Sequence, residues 1–103
     1  MHGVHLVIQG RVQGVGFRYY VMRRAQALGL TGWVRNTWSG DVEVEVEGDH
    51  ASLEQLVDLV GHGPTSARVD SVRAEWHENP RGYDRFWVRP NTHPPGGTDS
   101  PEP

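Results

Sequence analysis

Nine residues near the N-terminus, GRVQGVGFR (10–18), combine three glycines and two arginines directly after a hydrophobic segment. A glycine-rich connection from a strand to a helix can aim successive backbone N–H groups at one point, at the positive end of the helix dipole. Gly14 and Gly16 allow positive φ and close approach of a ligand. Arg18 can grip two oxygens of one phosphate there. The segment is a candidate anion cradle, and an ordinary turn with an exposed arginine is the alternative.

Two common phosphate-binding loops are excluded. A Walker loop requires Gly-Lys-Ser/Thr, and all ten basic residues of this chain are arginines. A dinucleotide fingerprint requires Gly-x-Gly-x-x-Gly, whereas Gly14 and Gly16 are followed by Phe-Arg-Tyr. A nucleotide site of either type is therefore not expected.

The charge distribution also points to a small anion. The net charge of the 103 residues is −3, but residues 1–40 contain five arginines and no acidic residue, so they carry +5 and the remainder −8. This asymmetry favours a local anion site over a broad nucleic-acid surface, although a short chain can show it by chance. An RNA-binding sheet needs exposed aromatic side chains, and the segment DVEVEVE (41–47) has none. We expect no nucleic-acid partner. The glutamates of this segment are expected to form a solvated sheet face or turn-side charge.

The composition excludes several other classes of protein. The chain has no cysteine, so it has no disulfide, no thiolate metal site and no cysteine nucleophile. Its six histidines lack carboxylate support at ligand spacing, so no metal or other cofactor is expected. The apolar runs are too short to span a membrane, and the start lacks the basic region of a secretory signal. We expect a cytoplasmic, soluble monomer with no membrane partner.

Hydrophobic periodicity predicts the order βαββαβ followed by a short final strand. The predicted strands cover residues 4–12, 32–38, 41–47, 68–77 and 84–89, and the predicted helices cover residues 17–28 and 51–61. This order favours the α+β ferredoxin-like sandwich, an antiparallel sheet with both helices on one face. Residues 1–90 form the predicted domain. Residues 91–103, rich in proline, glycine and polar side chains, are predicted to form a disordered tail.

In that topology the first two strands run in the same direction, with the third strand between them. The glycine-rich loop and residues 36–38 therefore emerge at one sheet edge, about 10 Å apart, a gap that suits a small phosphorylated molecule. Val34 and Asn36 share a face of the second strand, so Asn36 faces the loop if Val34 faces the helices. An asparagine that satisfies its own backbone beside a turn is the alternative. Trp38 is a candidate for contacting the rest of the ligand.

The segment GRVQGVGFR, followed about twenty positions later by GWVRNTWSGDVEVEVEG (32–48), resembles the two signature segments of the acylphosphatases. The likeness extends over about residues 5–89, including the Gly-Pro pair after the second helix, and the tail after Pro90 lies outside it. The resemblance implies the ferredoxin-like fold. It also implies a small metal-free hydrolase that cleaves acyl phosphates to a carboxylate and inorganic phosphate.

The resemblance further implies residue roles: Arg18 binds the phosphate and Asn36 orients the attacking water. The backbone amides that would complete the cradle are those of Gln13, Gly14, Val15, Gly16 and Phe17. This chemistry suits an acyl phosphate, a mixed anhydride with a good leaving group that needs no covalent nucleophile. Neutralising the phosphoryl charge and placing a water in line are sufficient. A non-catalytic or accessory acylphosphatase-like domain, as found at the start of larger carbamoyl-transfer proteins, is the alternative.

Overall fold

The computed structural model describes residues 1–92, which form five strands and two helices. The strands are β1 (His2–Arg11), β2 (Thr31–Asn36), β3 (Val42–Gly48), β4 (Arg68–His77) and β5 (Phe86–Val88), and the helices are α1 (Phe17–Ala27) and α2 (His50–His62). The element order is the predicted βαββαβ with a short final strand. None of these helices is long and apolar enough to cross a membrane. Residues 93–103, most of the predicted tail, lie outside the described part of the chain.

The sheet has the strand order β4-β1-β3-β2-β5. Because β3 pairs antiparallel with both β1 and β2, those two strands run in the same direction, as predicted. The expectation of an antiparallel sheet is wrong at one edge, since β5 pairs parallel to β2. The cause is that β4 ends where β1 and β2 begin, so the chain crosses to the β2 edge at that end and β5 then runs alongside β2.

One face of the sheet carries the hydrophobic core. The alternation of β1 and β3 turns Val4, Leu6 and Ile8 and their valine neighbours in β3 inwards, and both helices cover them. The helix residues buried there are Phe17, Val21, Ala25, Leu53, Leu56 and Val60. Burial of these side chains favours folding by about 25 cal/mol per Å² of apolar surface removed from water. The predicted arrangement of both helices on one face of the sheet is confirmed.

The opposite face is not the solvated glutamate row that alternation alone suggested. Glu47 is only 1% exposed, and its carboxylate accepts hydrogen bonds from the backbone N–H groups of Arg81 and Gly82. The alternation of valine and glutamate in β3 correctly predicted that Glu47 points to the face opposite the core. It could not show that residues 78–85, on their way from β4 to β5, fold back across it.

The other two glutamates of β3 are paired on the same face. Glu43 contacts His5 Nε2 at 2.7 Å and accepts from Arg35 Nε at 2.8 Å, and Glu45 contacts His77 Nε2 at 2.6 Å. Burial alone would raise the pKa of Glu43. The hydrogen bonds from His5 and Arg35 and the charges of those groups outweigh it, so the pKa of Glu43 is lowered from its usual value.

Candidate active site

The loop between β1 and α1 depends on two glycines in the left-handed region. Gly14 has φ 74° and Gly16 has φ 79°, and Gly16 directly precedes the first residue of α1. A Cβ built on either glycine would meet no atom within 4 Å. The glycines are therefore required by the backbone conformation and not by crowding. The space beside them is open to a ligand.

The side chain of Gln13 ties this loop to the hairpin between β2 and β3. Its Nε2 donates to the carbonyl oxygens of Thr37 at 2.7 Å and Asp41 at 2.8 Å. On the other side of the loop, Ser66 Oγ donates to the Val15 carbonyl at 2.9 Å. The loop and the turn after β2 thus lie at the same sheet edge, as the topology predicted.

Arg18 lies in the first turn of α1 and is partly exposed. Its Nη1 is 3.4 Å from Asn91 Oδ1, the acceptor of a long hydrogen bond. Within residues 1–92 no carboxylate forms an ion pair with Arg18. The positive charge at the start of α1 is therefore not cancelled by any carboxylate of the described residues.

Asn36 is the last residue of β2 and is 7% exposed, on the same face of the strand as the fully buried Val34. Its side-chain Oδ1 is buried and has no hydrogen-bond partner among the described residues. An unsatisfied buried polar atom costs about 1–3 kcal/mol, so it is uncommon without a reason. The predicted parity of Val34 and Asn36 is observed, and the amide oxygen is free to accept a hydrogen bond.

The turn that follows Asn36 is closed by its own hydrogen bonds. Thr37 N donates to the Asp41 carbonyl at 2.9 Å, and Gly40 N donates to the Thr37 carbonyl at 3.1 Å. Trp38 sits at the tip of this turn with 56% of its surface exposed. Its contact with an acyl group stays a prediction.

A wide groove on the surface of the described residues does not coincide with this site. A surface groove of about 630 Å³ runs along the outer flank of α1, lined by Tyr19, Tyr20, Arg23 and Arg24, and of the predicted site only Gly16 borders it. At 100° per residue Arg18 points to the other flank of the helix. Because a phosphate can be held by a shallow ring of amides, cavity volume does not locate an anion site here.

Metal-ligating side chains do not come together in residues 1–92, where no three histidine, aspartate or glutamate residues form a group that could hold a metal ion. The histidines lie on separate contacts: His5 with Glu43, His77 with Glu45, and His50 beside Trp76. The described residues at this end of the sheet therefore comprise the glycine-rich loop, Arg18 and Asn36, and no metal-ligating group.

Comparison with known proteins identifies the family. A family model described as acylphosphatase matches residues 4–88. The chain belongs to the acylphosphatase family. Similar curated proteins include the acylphosphatase of Moorella thermoacetica, 47% identical over 85 residues, and that of Thermococcus kodakarensis, 49% identical over 84 residues. Each match covers 82% of this chain, and 90% and 91% of the two relatives. The chain is therefore an acylphosphatase enzyme, a hydrolase whose substrate class is the acyl phosphates.

Solved structures support the same conclusion for the fold of this acylphosphatase. The crystal structure of acylphosphatase from Bacillus subtilis superposes with a TM-score of 0.85 at 35% identity, covering 86% of this chain and 99% of that one. The full-length HypF protein in its phosphate- and nucleotide-bound form gives a TM-score of 0.79 at 30% identity, but the match covers only 13% of that chain. The fold therefore occurs both alone and as a small part of a larger protein.

Three side chains beside the candidate site of this acylphosphatase were not anticipated from the sequence. Gln13 was considered only for its backbone amide, whereas its side chain joins the two signature segments. Asn91 and Thr92 were placed in the tail by composition, yet they hydrogen-bond to Arg18, Asn36 and Trp38. The motif offered a signal for Gln13, a polar side chain inside a tight turn. Nothing in the sequence signalled the other two.

Proposed function

We propose that Arg18, the backbone amides of residues 13–17 and Asn36 carry out the acylphosphatase reaction of this chain. Arg18 and the amides bind the phosphoryl group, and Asn36 orients a water for attack at phosphorus. The water oxygen forms the new bond to phosphorus, the bond from phosphorus to the acyl oxygen breaks, and the carboxylate leaves. The water protons remain on the phosphate or pass to solvent.

This division of labour follows from the chemistry of the substrate. A departing carboxylate is the conjugate base of an acid with a pKa near 4, so it leaves without a proton donor. The remaining demands are to offset the phosphoryl charge and to hold the group and the water in line. An arginine offers a planar group with five N–H donors for the phosphoryl oxygens.

The unpartnered Oδ1 of Asn36 is the observation that most strongly supports the proposal. A water bound to this oxygen would satisfy an otherwise orphaned buried acceptor. Such a water would lie on the helix-side face of β2, close to the turn that Gln13 ties to the loop. The amide does not titrate near neutral pH, so it positions the water without removing its proton.

The test is phosphate release from an aryl acyl phosphate such as benzoyl phosphate, together with competitive inhibition by inorganic phosphate. We expect Arg18→Ala to lose both turnover and phosphate binding, and Arg18→Lys to be poor because the two-pronged geometry is lost. We expect Asn36→Ala to lose turnover while the inhibition constant of phosphate stays within about twofold of the unsubstituted chain, because Asn36 contacts the water and not the anion. Arg73→Ala removes an exposed arginine of β4 and is the matched control.

Near-normal hydrolysis by Arg18→Ala would remove the basis of the mechanism. A loss of phosphate affinity in Asn36→Ala as large as the loss of turnover would contradict the separate roles. The alternative is a non-catalytic anion-binding domain. The match to HypF is the reason to consider it, because the fold there forms only 13% of a larger chain. Phosphate binding without any turnover by the unsubstituted chain would favour that alternative.

We also propose that the enzyme is a cytoplasmic monomer that binds neither nucleic acid nor membranes. In residues 1–92 the large exposed apolar side chains are Met1 at the start of the chain, Tyr19 on α1, Trp38 in the turn after β2 and Trp76 on β4. The second sheet face is occupied by ion pairs. Scattered apolar groups of this kind are usual on monomer surfaces. Light scattering at micromolar concentration measures the oligomeric state, and a mass near 23 kDa, twice the chain mass of 11.5 kDa, would contradict the proposal.

A further inference from the structure

Two residues beyond the segment that the family model matches contact both halves of the proposed site. The matched segment ends at residue 88, and the chain then continues along the outer side of β2. Arg89 N donates to the Val34 carbonyl at 2.9 Å, and Thr92 N donates to the Asn36 carbonyl at 3.3 Å. The backbone beyond β5 thus follows β2 up to its last residue.

Thr92 makes two hydrogen bonds to Asn36 and the turn that follows it. Besides its backbone bond to Asn36, its Oγ1 accepts a hydrogen bond from Trp38 N at 2.8 Å. The two bonds attach residues 36 and 38 to the segment that follows β5. The side chain of Gln13 attaches the same turn to the glycine-rich loop. The backbone of the turn that follows Asn36 is thereby held from two directions.

Asn91 makes the corresponding contact with Arg18. Its Oδ1 accepts from Nη1 at 3.4 Å, a long bond at an exposed position. A guanidinium has five N–H donors, so a bond to one Nη1 hydrogen leaves the Nε and Nη2 edge for the oxygens of a phosphate. A neutral amide can orient the group without cancelling its charge, whereas a carboxylate in the same place would pair with it.

We infer that Asn91 and Thr92 are positioning residues of this active site, Asn91 for Arg18 and Thr92 for the turn that carries Asn36. The inference rests on the roles proposed above for Arg18 and Asn36. It extends the proposed site past residue 88, where the match to the family model ends, onto a part of the chain whose composition is that of a linker. Neither residue needs to touch the substrate.

The sharpest test of Asn91 is the addition of one negative charge. In Asn91→Asp the new carboxylate lies beside Arg18 and competes with phosphate, so we expect the inhibition constant of inorganic phosphate to rise about threefold to tenfold at low salt. The rise should shrink as the ionic strength is increased to 0.5 M, because exposed charges are screened. Asn91→Ala should raise the constant by about twofold, since only the orientation of the guanidinium is lost.

Asn79→Asp is the matched control for Asn91→Asp. It adds the same charge on the exposed stretch after β4, at the end of the sheet where β1 and β2 begin, away from the loop. We expect its phosphate inhibition constant to stay within about 1.5-fold of the unsubstituted chain at this distance. Equal effects of the two aspartates would show that only net charge matters, and would overturn the role of Asn91.

For Thr92 the readout is the split between kcat and KM. Thr92→Val keeps the shape of the side chain but removes the acceptor of the Trp38 amide, so we expect kcat to fall about threefold to tenfold with the phosphate inhibition constant unchanged. Thr92→Ser restores the acceptor and should recover kcat to within about twofold. The urea midpoint of every variant is measured alongside, and a kcat loss that only follows lost stability would overturn the assignment.

If the unsubstituted chain does not release phosphate from benzoyl phosphate, the proposed function fails. If it is active and Asn91→Asp and Thr92→Val match it in the phosphate constant, kcat and KM, the proposed function stands and the inference about these two residues is wrong.

Discussion

Replacing Gln13 by alanine tests whether the two signature segments work as one unit. The change removes two partly buried hydrogen bonds, of 2.7 and 2.8 Å, from Nε2 to the carbonyls of Thr37 and Asp41. A neutral hydrogen bond contributes about 0.5–1.5 kcal/mol net. Both carbonyls keep another donor, Gly40 N for the first and Thr37 N for the second, so neither is orphaned. The expected loss of unfolding free energy is therefore about 1–2 kcal/mol, the lower part of the range for two bonds.

Such a loss lowers the thermal midpoint of a domain of this size by about 5–15 °C. The effect on catalysis should be larger than the effect on stability at 25 °C, because the loop and the turn carrying Asn36 lose their direct connection. We expect kcat for benzoyl phosphate to fall about tenfold or more, since small misplacements of reacting groups are costly. The assay is phosphate release under conditions where the variant is more than 95% folded, as judged by its own urea curve.

Gln9→Ala provides the matched control in the same chain. Gln9 is an exposed glutamine of β1, and its Oε1 accepts one hydrogen bond from Ser71 Oγ at 2.9 Å. Its loss should change the unfolding free energy by less than about 0.5 kcal/mol and leave kcat unaffected. If Gln13→Ala and Gln9→Ala behave alike in both stability and turnover, the Gln13 side chain does not couple the loop to the turn and the reasoning is refuted.

Three further predictions concern Glu47, Glu43 and the independence of the reaction from metal ions. Glu47→Gln should lower the unfolding free energy by about 2–4 kcal/mol in urea titration, because a buried carboxylate that accepts two backbone hydrogen bonds is lost; the exposed Glu75→Gln should change little. The pKa of Glu43 is lowered on folding, so its contribution is present above the unfolded pKa of about 4.3 and is lost as the pH falls through the lower folded pKa. The difference in unfolding free energy between the unsubstituted chain and Glu43→Gln should therefore shrink from pH 6 to pH 3, and a constant difference would contradict the pairing. Phosphate release should be unchanged after dialysis against EDTA, because Arg18 supplies the charge that a metal would otherwise supply; a loss restored by Mg²⁺ or Zn²⁺ would show the opposite.

Local patterns were sufficient to predict most of the scaffold. The alternation in β1 and β3 identified which side chains point into the core, and the parity of Val34 and Asn36 predicted the face on which Asn36 lies. The change from a period of two to a helical period located the start of α1 at Phe17. These features depend on residues close together in the sequence, where steric and hydrophobic rules act directly.

The features that were missed depend on contacts between distant residues. Glu47 was assigned to the correct face, but its burial is produced by Arg81 and Gly82, 34 and 35 residues away. The parallel pairing of β5 depends on where β4 ends, which periodicity does not encode. Asn91 is 73 residues from Arg18, and a linker-like composition gives no sign of a hydrogen bond across that separation.

The short strand β5 has a consequence for association between molecules. Without a neighbour on its outer side, β2 would be an edge strand and would present unpaired backbone groups to other chains, the usual template for aggregation. Pairing with β5, continued by the bonds from Arg89 and Thr92, removes that edge along the strand that carries Asn36. The two edges of the sheet are then β4, whose exposed arginines, aspartate and glutamate discourage another strand from pairing with it, and β5, which has only three residues and offers a short edge. The short strand beside the proposed active site thus also protects β2 from pairing with a strand of another molecule.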